Sequence, residues 1–184
     1  TSWITETLGR AKRDVGDQRD RLVREGIERG IQMLLDAGIT QVGDISSNGY
    51  SIAPLLESGL SGIIWLEVIA ISPQMGEEKF SLARSLIEQW RPHERNGMRI
   101  GLTLHAPYSI LPTYWPMGLD YARANDLPLC IHTAESDEEY EWFLHGTGPV
   151  AETNRRTGMD FPSPRISPVH YLEQTGALEL KPLL

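Results

Sequence analysis

The sequence predicts an α/β fold in which parallel strands alternate with helices. Predicted strands and helices follow each other in turn, and this order is typical of parallel strands joined by right-handed crossovers. Residues 63–70 (IIWLEVIA) form a nearly continuous apolar run, as expected for a strand buried on both faces of a parallel sheet. The length of 184 residues, 40% of them hydrophobic, suits one domain with a buried core.

The first part of the chain predicts helices, a strand and a short helix. A helical stripe of apolar residues that stops at Gly38 indicates the second helix, and the turn-forming residues 46–49 (SSNG) end the strand. The predicted elements are helices over residues 3–13 and 17–37, a strand over 39–45 and a short helix over Ile52–Glu57.

The remainder predicts three further strands, each followed by a helix. Apolar, β-branched runs indicate the strands, and helical periodicity indicates the segments between them. The predicted strands cover residues 63–70, 98–105 and 127–132, and the predicted helices cover 77–90, 113–125, 136–144 and 169–174. Residues 146–168 are rich in Gly, Pro, Thr and Arg, and this composition predicts a loop.

Charge and composition exclude several classes of partner. The net charge of −8 disfavours nucleic acid, because binding to phosphate backbones needs clustered Lys and Arg. No apolar stretch is long enough to span a bilayer, and the longest is interrupted by Glu67. The single Cys130 cannot form an internal disulfide, and no secretory signal is visible at the N-terminus. We therefore expect a soluble cytoplasmic protein that acts on a small molecule.

Two consecutive predicted strands end in histidine. His105 begins the segment HAPYS after one strand, and His132 begins HTAES after the next. Because the carboxyl ends of parallel strands meet at one edge of the sheet, these imidazoles should lie close together. Neutral imidazole is a good ligand for Zn²⁺, and a nearby carboxylate such as Glu135 can move protons to and from activated water.

Structural roles remain open for the same residues. His105 could hydrogen-bond a backbone carbonyl, and Glu135 could belong to the acidic run of residues 135–141, which the helix dipole favours. Those roles explain less well why two neighbouring strands both end in histidine. Glu67, inside an apolar strand, must be paired or face a polar site, and Cys130 is expected in the core.

Two architectures are compatible with these elements. A doubly wound sheet closes at this length, whereas a complete (β/α)8 barrel usually needs about 250 residues. Length alone favours the doubly wound sheet.

The segments GLTLHAPYSI and LPLCIHTAESDEE, within residues 99–139, resemble the amidohydrolase superfamily, in particular its cytosine-deaminase-like and chlorohydrolase-like branch. The flanking segments LLDAGITQVGDIS and SPVHYLEQTGAL agree, so the resemblance covers most of the chain. It implies that His132 is a metal ligand, that Glu135 shuttles protons and that His105 contacts substrate. The implied cofactor is a divalent metal, zinc in the first place and iron as the alternative.

The chain also departs from the family pattern. It has no H-x-H pair from an early strand, no further histidine strand after the YLE segment and no late aspartate. The resemblance therefore implies that residues 1–184 are the central part of a barrel whose first and last parts are absent. The expected fold becomes a partial (β/α)8 barrel with parallel strands and crossover helices.

The expected function is that of a metal-dependent hydrolase acting on non-peptide carbon–nitrogen bonds, as a deaminase does, with metal-activated water as the nucleophile. The 184 residues by themselves are expected to be inactive. Exposed edges of an unclosed barrel would allow a homo-oligomer, and no membrane partner is expected. A non-catalytic α/β binding or assembly domain and a chlorohydrolase on the same scaffold remain alternatives.

Overall fold

The computed structural model describes residues 18–158 and 161–184, and its framework is a four-stranded parallel sheet. The predicted helix over residues 3–13 lies outside the described residues. The strands are β1 (Gln41–Ser46), β2 (Ser61–Val68), β3 (Met98–Leu104) and β4 (Leu129–Cys130). All four predicted strands are therefore present, and β4 is shorter than expected.

Helices connect the strands and follow the last one, as the alternation predicted. They are α1 (Arg19–Asp36), α2 (Ile52–Glu57), α3 (Pro73–Trp90), α4 (Tyr114–Ala124), α5 (Asp137–His145), α6 (Gly148–Thr157) and α7 (Pro168–Gln174). Among the described residues, no helix combines the length and the apolar composition that crossing a membrane requires.

The order of the strands decides between the two architectures. Neighbours in the sheet follow the chain order β1-β2-β3-β4, and every pair is parallel. With right-handed crossovers, an order that never reverses places all connecting helices on one face, whereas a doubly wound sheet reverses direction and carries helices on both. Leu183 continues the order by forming a parallel bridge with Cys130. The fold is thus a partial (β/α)8 barrel, and the doubly wound sheet favoured by length is wrong.

One face of the sheet forms the main core against the helices. Its side chains from β2 and β3 are at most 1% exposed and are Ile64, Leu66, Val68, Ile100, Leu102 and Leu104. They pack in one cluster with Phe80, Ala83 and Ile87 of α3. Fully burying an aliphatic side chain of this size contributes about 1.5–3 kcal/mol, so this layer holds β2 and β3 in place.

The opposite face corresponds to the interior of a closed barrel. Trp65 lies on this face, and a Cβ atom at Gly101 would come within 2.6 Å of the indole and 2.6 Å of the Pro128 carbonyl oxygen. Only glycine therefore allows the indole to cross β3 at this point. Glu67 and Thr103 follow on the same face as in-register partners, so polar groups begin where the strands approach their carboxyl ends.

The loop predicted over residues 146–168 is wrong in its first half, because α6 lies there. Pro149 occupies the first turn of that helix, and Gly158 ends it in the left-handed conformation with φ 74°. Proline is favoured at the first turn of a helix and glycine just after its last residue, which are the positions found here. Val150 and Ala151 are buried against Trp142 and Phe143 of α5, so tertiary packing stabilises a segment whose composition suggested a loop.

Helix packing at Gly76 provides a test of this structure. In α3 a Cβ atom at Gly76 would lie 2.3 Å from the Tyr114 ring, whereas one at Gly26 in α1 would meet nothing within 4 Å. Gly76→Ala is expected to lower the melting temperature because overpacking costs about 1–3 kcal/mol. Gly26→Ala is expected to raise it, since alanine in a helix interior is favoured over glycine by about 0.5–1 kcal/mol. Equal melting temperatures for the two variants would contradict the packing of α3 on α4.

Candidate active site

The two strand-end histidines lie side by side at the carboxyl edge of the sheet. The His105 N–H donates to the Val68 carbonyl oxygen at 3.1 Å, and the His132 N–H donates to the His105 carbonyl oxygen at 2.8 Å. These bonds continue the parallel ladder beyond the ends of the strands. The imidazole centroids are 5.3 Å apart with an interplanar angle of 69°. The predicted juxtaposition of His105 and His132 is therefore present.

The His105 ring is held by the turn that follows it. Its Nδ1 lies 2.6 Å from Oγ of the buried Ser109, whose hydroxyl donates to the Ala106 carbonyl oxygen at 3.0 Å. With the hydroxyl donating to this carbonyl oxygen, the tautomer that suits the contact carries its proton on Nδ1 and donates it to Ser109. Nε2 consequently keeps its lone pair. Burial lowers the pKa of His105 and so favours the neutral ring, although the negative charges of Glu67 and Glu135 act in the opposite direction.

Glu135 meets both His132 and a tyrosine. Its Oε1 lies 3.8 Å from Nδ1 of His132, and its Oε2 accepts a hydrogen bond from the Tyr108 hydroxyl at 2.8 Å. Burial raises the pKa of Tyr108, as do its hydrogen bond to Glu135 and that carboxylate's charge, so the phenol stays protonated. The Tyr108 ring also makes an edge contact with His105 at 5.9 Å between centroids. The carboxylate is therefore oriented from one side and open on the side of His132.

A buried carboxylate supports the turn that carries Glu135. Ala134 adopts a left-handed conformation with φ 56°, and Ser136 caps α5 by accepting a hydrogen bond from the Glu139 N–H at 3.3 Å. Oε2 of Glu139, a fully buried residue, accepts from the Glu135 N–H at 2.8 Å. In the sequence Glu139 stands out only as a member of an acidic run, and its contact with the Glu135 N–H was not predicted. The spacing Ser136-x-x-Glu139, typical of a capping box, could have indicated it.

Glu67 lies near the end of β2, at the same carboxyl edge of the sheet as His105 and His132. This edge is called the rim. Its Oε2 accepts a hydrogen bond from the Ser47 hydroxyl, and Glu67 pairs in register with Thr103, two residues before His105. The sequence left open whether Glu67 is paired or faces a polar site, and the structure shows that both descriptions apply. The rim therefore combines side chains that follow or end three neighbouring strands.

The remaining histidines lie elsewhere in the fold. His93 packs against Trp90 with centroids 5.8 Å apart, and His170 lies 3.7 Å from the Glu173 carboxylate on α7. His145 ends α5. Cys130 is free and buried, as expected for a core residue.

The donor atoms at the rim fit part of a metal site. His105 and His132 supply imidazole nitrogens, the preferred ligands of Zn²⁺ and related ions, and Glu135 stands next to them as a carboxylate. Within residues 18–158 and 161–184, no group of three or more His, Cys, Asp or Glu side chains is placed to hold a metal ion. A catalytic site with three protein ligands and a water would thus need further ligands from outside this set.

Comparison with known proteins adds to this geometry. Residues 2–163 match the model of the amidohydrolase family. An aminodeoxyfutalosine deaminase from Deinococcus radiodurans is 33% identical over 99% of this chain and 44% of its own length. A 5-methylthioadenosine/S-adenosylhomocysteine deaminase from Carboxydothermus hydrogenoformans is 25% identical over 83% of this chain and 31% of its own.

A solved structure shows the same arrangement of elements. The crystal structure of Helicobacter pylori aminofutalosine deaminase superposes with a TM-score of 0.68 at 26% sequence identity. The match covers 76% of this chain and 35% of the solved chain. The chain thus spans less than half the length of the relatives it matches.

Proposed function

The chain belongs to the amidohydrolase family, and from this premise we propose that residues 1–184 are the central part of a metal-dependent deaminase that hydrolyses a non-peptide carbon–nitrogen bond. One observation carries the proposal. The Glu135 carboxylate is oriented by Tyr108 and lies 3.8 Å from His132, at the edge of the sheet where neighbouring strands end. That arrangement is what proton transfer beside a metal ligand requires. The names of the two relatives, both deaminases, support the same reaction class.

His132 would hold the metal, which we propose to be zinc, because neutral imidazole suits this ion and a catalytic zinc site takes three protein ligands. When bound, the metal supplies a Lewis acid that makes a water molecule nucleophilic at neutral pH. The other ligands would come from parts of the barrel beyond those described.

Cys130 is free and buried, which supports placing the protein in the reducing cytoplasm.

Glu135 would move the protons of the reaction. The attacking water adds its oxygen to the carbon and gives a proton to the Glu135 carboxylate, which then passes it to the leaving nitrogen as the carbon–nitrogen bond breaks. Tyr108 holds Oε2 during both transfers, leaving Oε1 on the side of His132 for the proton. His105, with its proton on Nδ1, would accept a hydrogen bond from the substrate through Nε2.

The substrate class is proposed from the relatives. The Carboxydothermus hydrogenoformans protein is named for 5-methylthioadenosine and S-adenosylhomocysteine, which both contain an adenosine unit with an exocyclic amine. We infer that the substrate here is an adenosine-like nucleoside whose amine leaves as ammonia. A free nucleoside also agrees with the net charge of −8, which disfavours a polynucleotide.

The test uses the longer protein that contains these residues, loaded with zinc. Ammonia release from adenosine and from 5′-methylthioadenosine is expected, and it should disappear when a chelator removes the metal. The non-catalytic binding or assembly alternative predicts neither release of ammonia nor a stoichiometric metal. A zinc-loaded protein that deaminates no adenosine-like nucleoside would contradict the proposed substrate class.

Tyr108→Phe tests how the carboxylate is oriented. The change removes the donor to Glu135 and keeps the ring that packs on His105. A hydrogen bond to a charged group contributes about 1.5–3 kcal/mol, and about 1.4 kcal/mol corresponds to a tenfold change in rate. We expect kcat to fall about tenfold or more, with KM and bound metal unchanged. The matched control is Tyr140→Phe on the exposed side of α5, which should leave kcat intact. A fall in metal content in Tyr108→Phe would contradict a purely orienting role.

A further inference from the structure

Glu67 is a charged residue in a strand whose neighbours face the core. Leu66 and Val68 point to the helices and are at most 1% exposed, whereas Glu67 is half-buried on the opposite face. A carboxylate costs free energy in such a strand unless it has partners. The face it occupies is the barrel interior, next to the candidate active site.

Among the described residues, a hydrogen bond is made to only one of the two Glu67 carboxylate oxygens. Oε2 accepts a hydrogen bond from the Ser47 hydroxyl. Oε1 has no hydrogen bond from any residue that the structure describes, and Glu67 is only half-buried. The Ser47 contact fixes the direction of the carboxylate, so Oε1 is an oriented acceptor.

A second polar group on this face also lacks a partner. Thr103, the in-register neighbour of Glu67 on β3, is fully buried, and its hydroxyl makes no hydrogen bond within the described residues. Buried hydroxyl groups are normally satisfied. The polar groups next to Glu67 on this face are therefore not fully satisfied by the described residues.

The position of Glu67 relates it to one part of a substrate. It lies on β2, whereas Glu135 and His132 follow β4, two strands away. Neighbouring strands are about 4.8 Å apart, so Glu67 lies on the order of 10 Å from the groups that would act on the amine. His105, between them, is near enough for the charge of Glu67 to act on it. A nucleoside whose amine is at His132 and whose sugar extends past His105 would bring that sugar close to Glu67.

We propose that Glu67 is a specificity-determining residue whose Oε1 accepts a hydrogen bond from a sugar hydroxyl of the nucleoside. The inference rests on the proposed deaminase function. A carboxylate is an acceptor only, and its hydrogen bonds from hydroxyl groups are short and strong. Glu67 would therefore select substrates that carry this hydroxyl over those that lack it, and it would take no part in proton transfer.

The test measures coupling between Glu67 and each hydroxyl. Values of kcat/KM are determined for adenosine and its 2′-, 3′- and 5′-deoxy analogues with the zinc-loaded longer protein and its variants. The unmodified protein is expected to prefer adenosine over one of the analogues by about 10- to 100-fold. In Glu67→Leu that preference should fall to about one, through KM rather than kcat. Glu67→Gln, which keeps size and one acceptor, should give an intermediate preference.

Ser47→Ala is the matched control, because it removes the contact with Glu67 and keeps the carboxylate. If Glu67 served only to anchor Ser47, this variant would reproduce the result of Glu67→Leu, and the proposal would be overturned. Calorimetric binding of the product inosine and its deoxy analogue provides a readout independent of turnover. The difference in Kd between the two should also disappear in Glu67→Leu.

The outcomes separate this proposal from the one on which it rests. Deamination of nucleosides with hydroxyl preferences that are equal in the unmodified protein and in Glu67→Leu would overturn the role of Glu67 alone. Absence of deamination from every nucleoside by the unmodified, zinc-loaded protein would overturn both proposals. Loss of the preference in Glu67→Leu, with Ser47→Ala keeping most of it because the carboxylate is retained, is the expected result.

Discussion

Glu135→Gln is expected to lower kcat by about 10²–10⁴-fold while bound metal stays unchanged. Glutamine keeps the size of the side chain and can still accept the hydrogen bond from Tyr108, but it cannot take a proton from water and pass it to the leaving nitrogen. The loss should therefore appear in the chemical step. Measurements of kcat, KM and zinc content on the longer protein provide the test.

Asp137→Asn is the matched control for this variant. Asp137 stands in the first turn of α5, where the helix dipole favours a negative charge, and it is exposed. If Glu135 only complemented the dipole, both substitutions would cost about 0.3–1 kcal/mol of stability and leave turnover nearly intact. Normal turnover in Glu135→Gln, with a small loss in melting temperature, would remove Glu135 from the proposed mechanism.

His132→Ala is expected to abolish metal binding and activity together. Removing a residue that hydrogen-bonds a metal ligand typically lowers metal affinity by about 10–100-fold. Removing the ligand itself should lower metal affinity further. His105→Ala should keep the metal and chiefly weaken turnover or substrate binding. Zinc content after dialysis, measured beside kcat/KM, separates the two roles.

The position of His105 makes this comparison informative. Its Nε2 carries a lone pair because Nδ1 is held by Ser109, and its ring lies 5.3 Å from that of His132. The Nε2 lone pair can accept a hydrogen bond from a substrate or bind a metal ion. Equal loss of zinc in His105→Ala and His132→Ala would show that His105 is a ligand. His93→Ala, which changes a ring packed on Trp90 away from the rim, should alter neither property.

The sequence was informative where local pattern and strand direction determine the outcome. The apolar runs before His105 and His132 predicted two parallel strands, and parallel strands end at the same edge, so the juxtaposition followed. The order of the strands could not be predicted from hydrophobic periodicity, because it depends on contacts between distant segments. Length favoured a doubly wound sheet, and only the resemblance indicated the partial barrel that the strand order confirms.

The features missed at the site are those that depend on tertiary contacts. Tyr108 meets Glu135 only because the turns after β3 and β4 are brought together, and no spacing along the chain indicates the pair. Glu139 is different, since its distance from Ser136 is a local capping signal that the acidic run obscured. For α6, composition suggested a loop, although Pro149 and Gly158 stand where helices begin and end.

The unreversed order of the strands also has a consequence for how the chain folds during synthesis. Each strand pairs with the one made immediately before it, as Gln41 does with Ser61 and Leu102 with Leu129. A partner is therefore already in place whenever the ribosome releases a new strand, and loop closure is short for a parallel sheet. Leu183 shows the next step of this growth, because its N–H and carbonyl groups are already bonded to Leu129 and Ile131. At every stage the most recently formed edge is the template for the following strand, so only the closure of a barrel would have to wait for distant sequence.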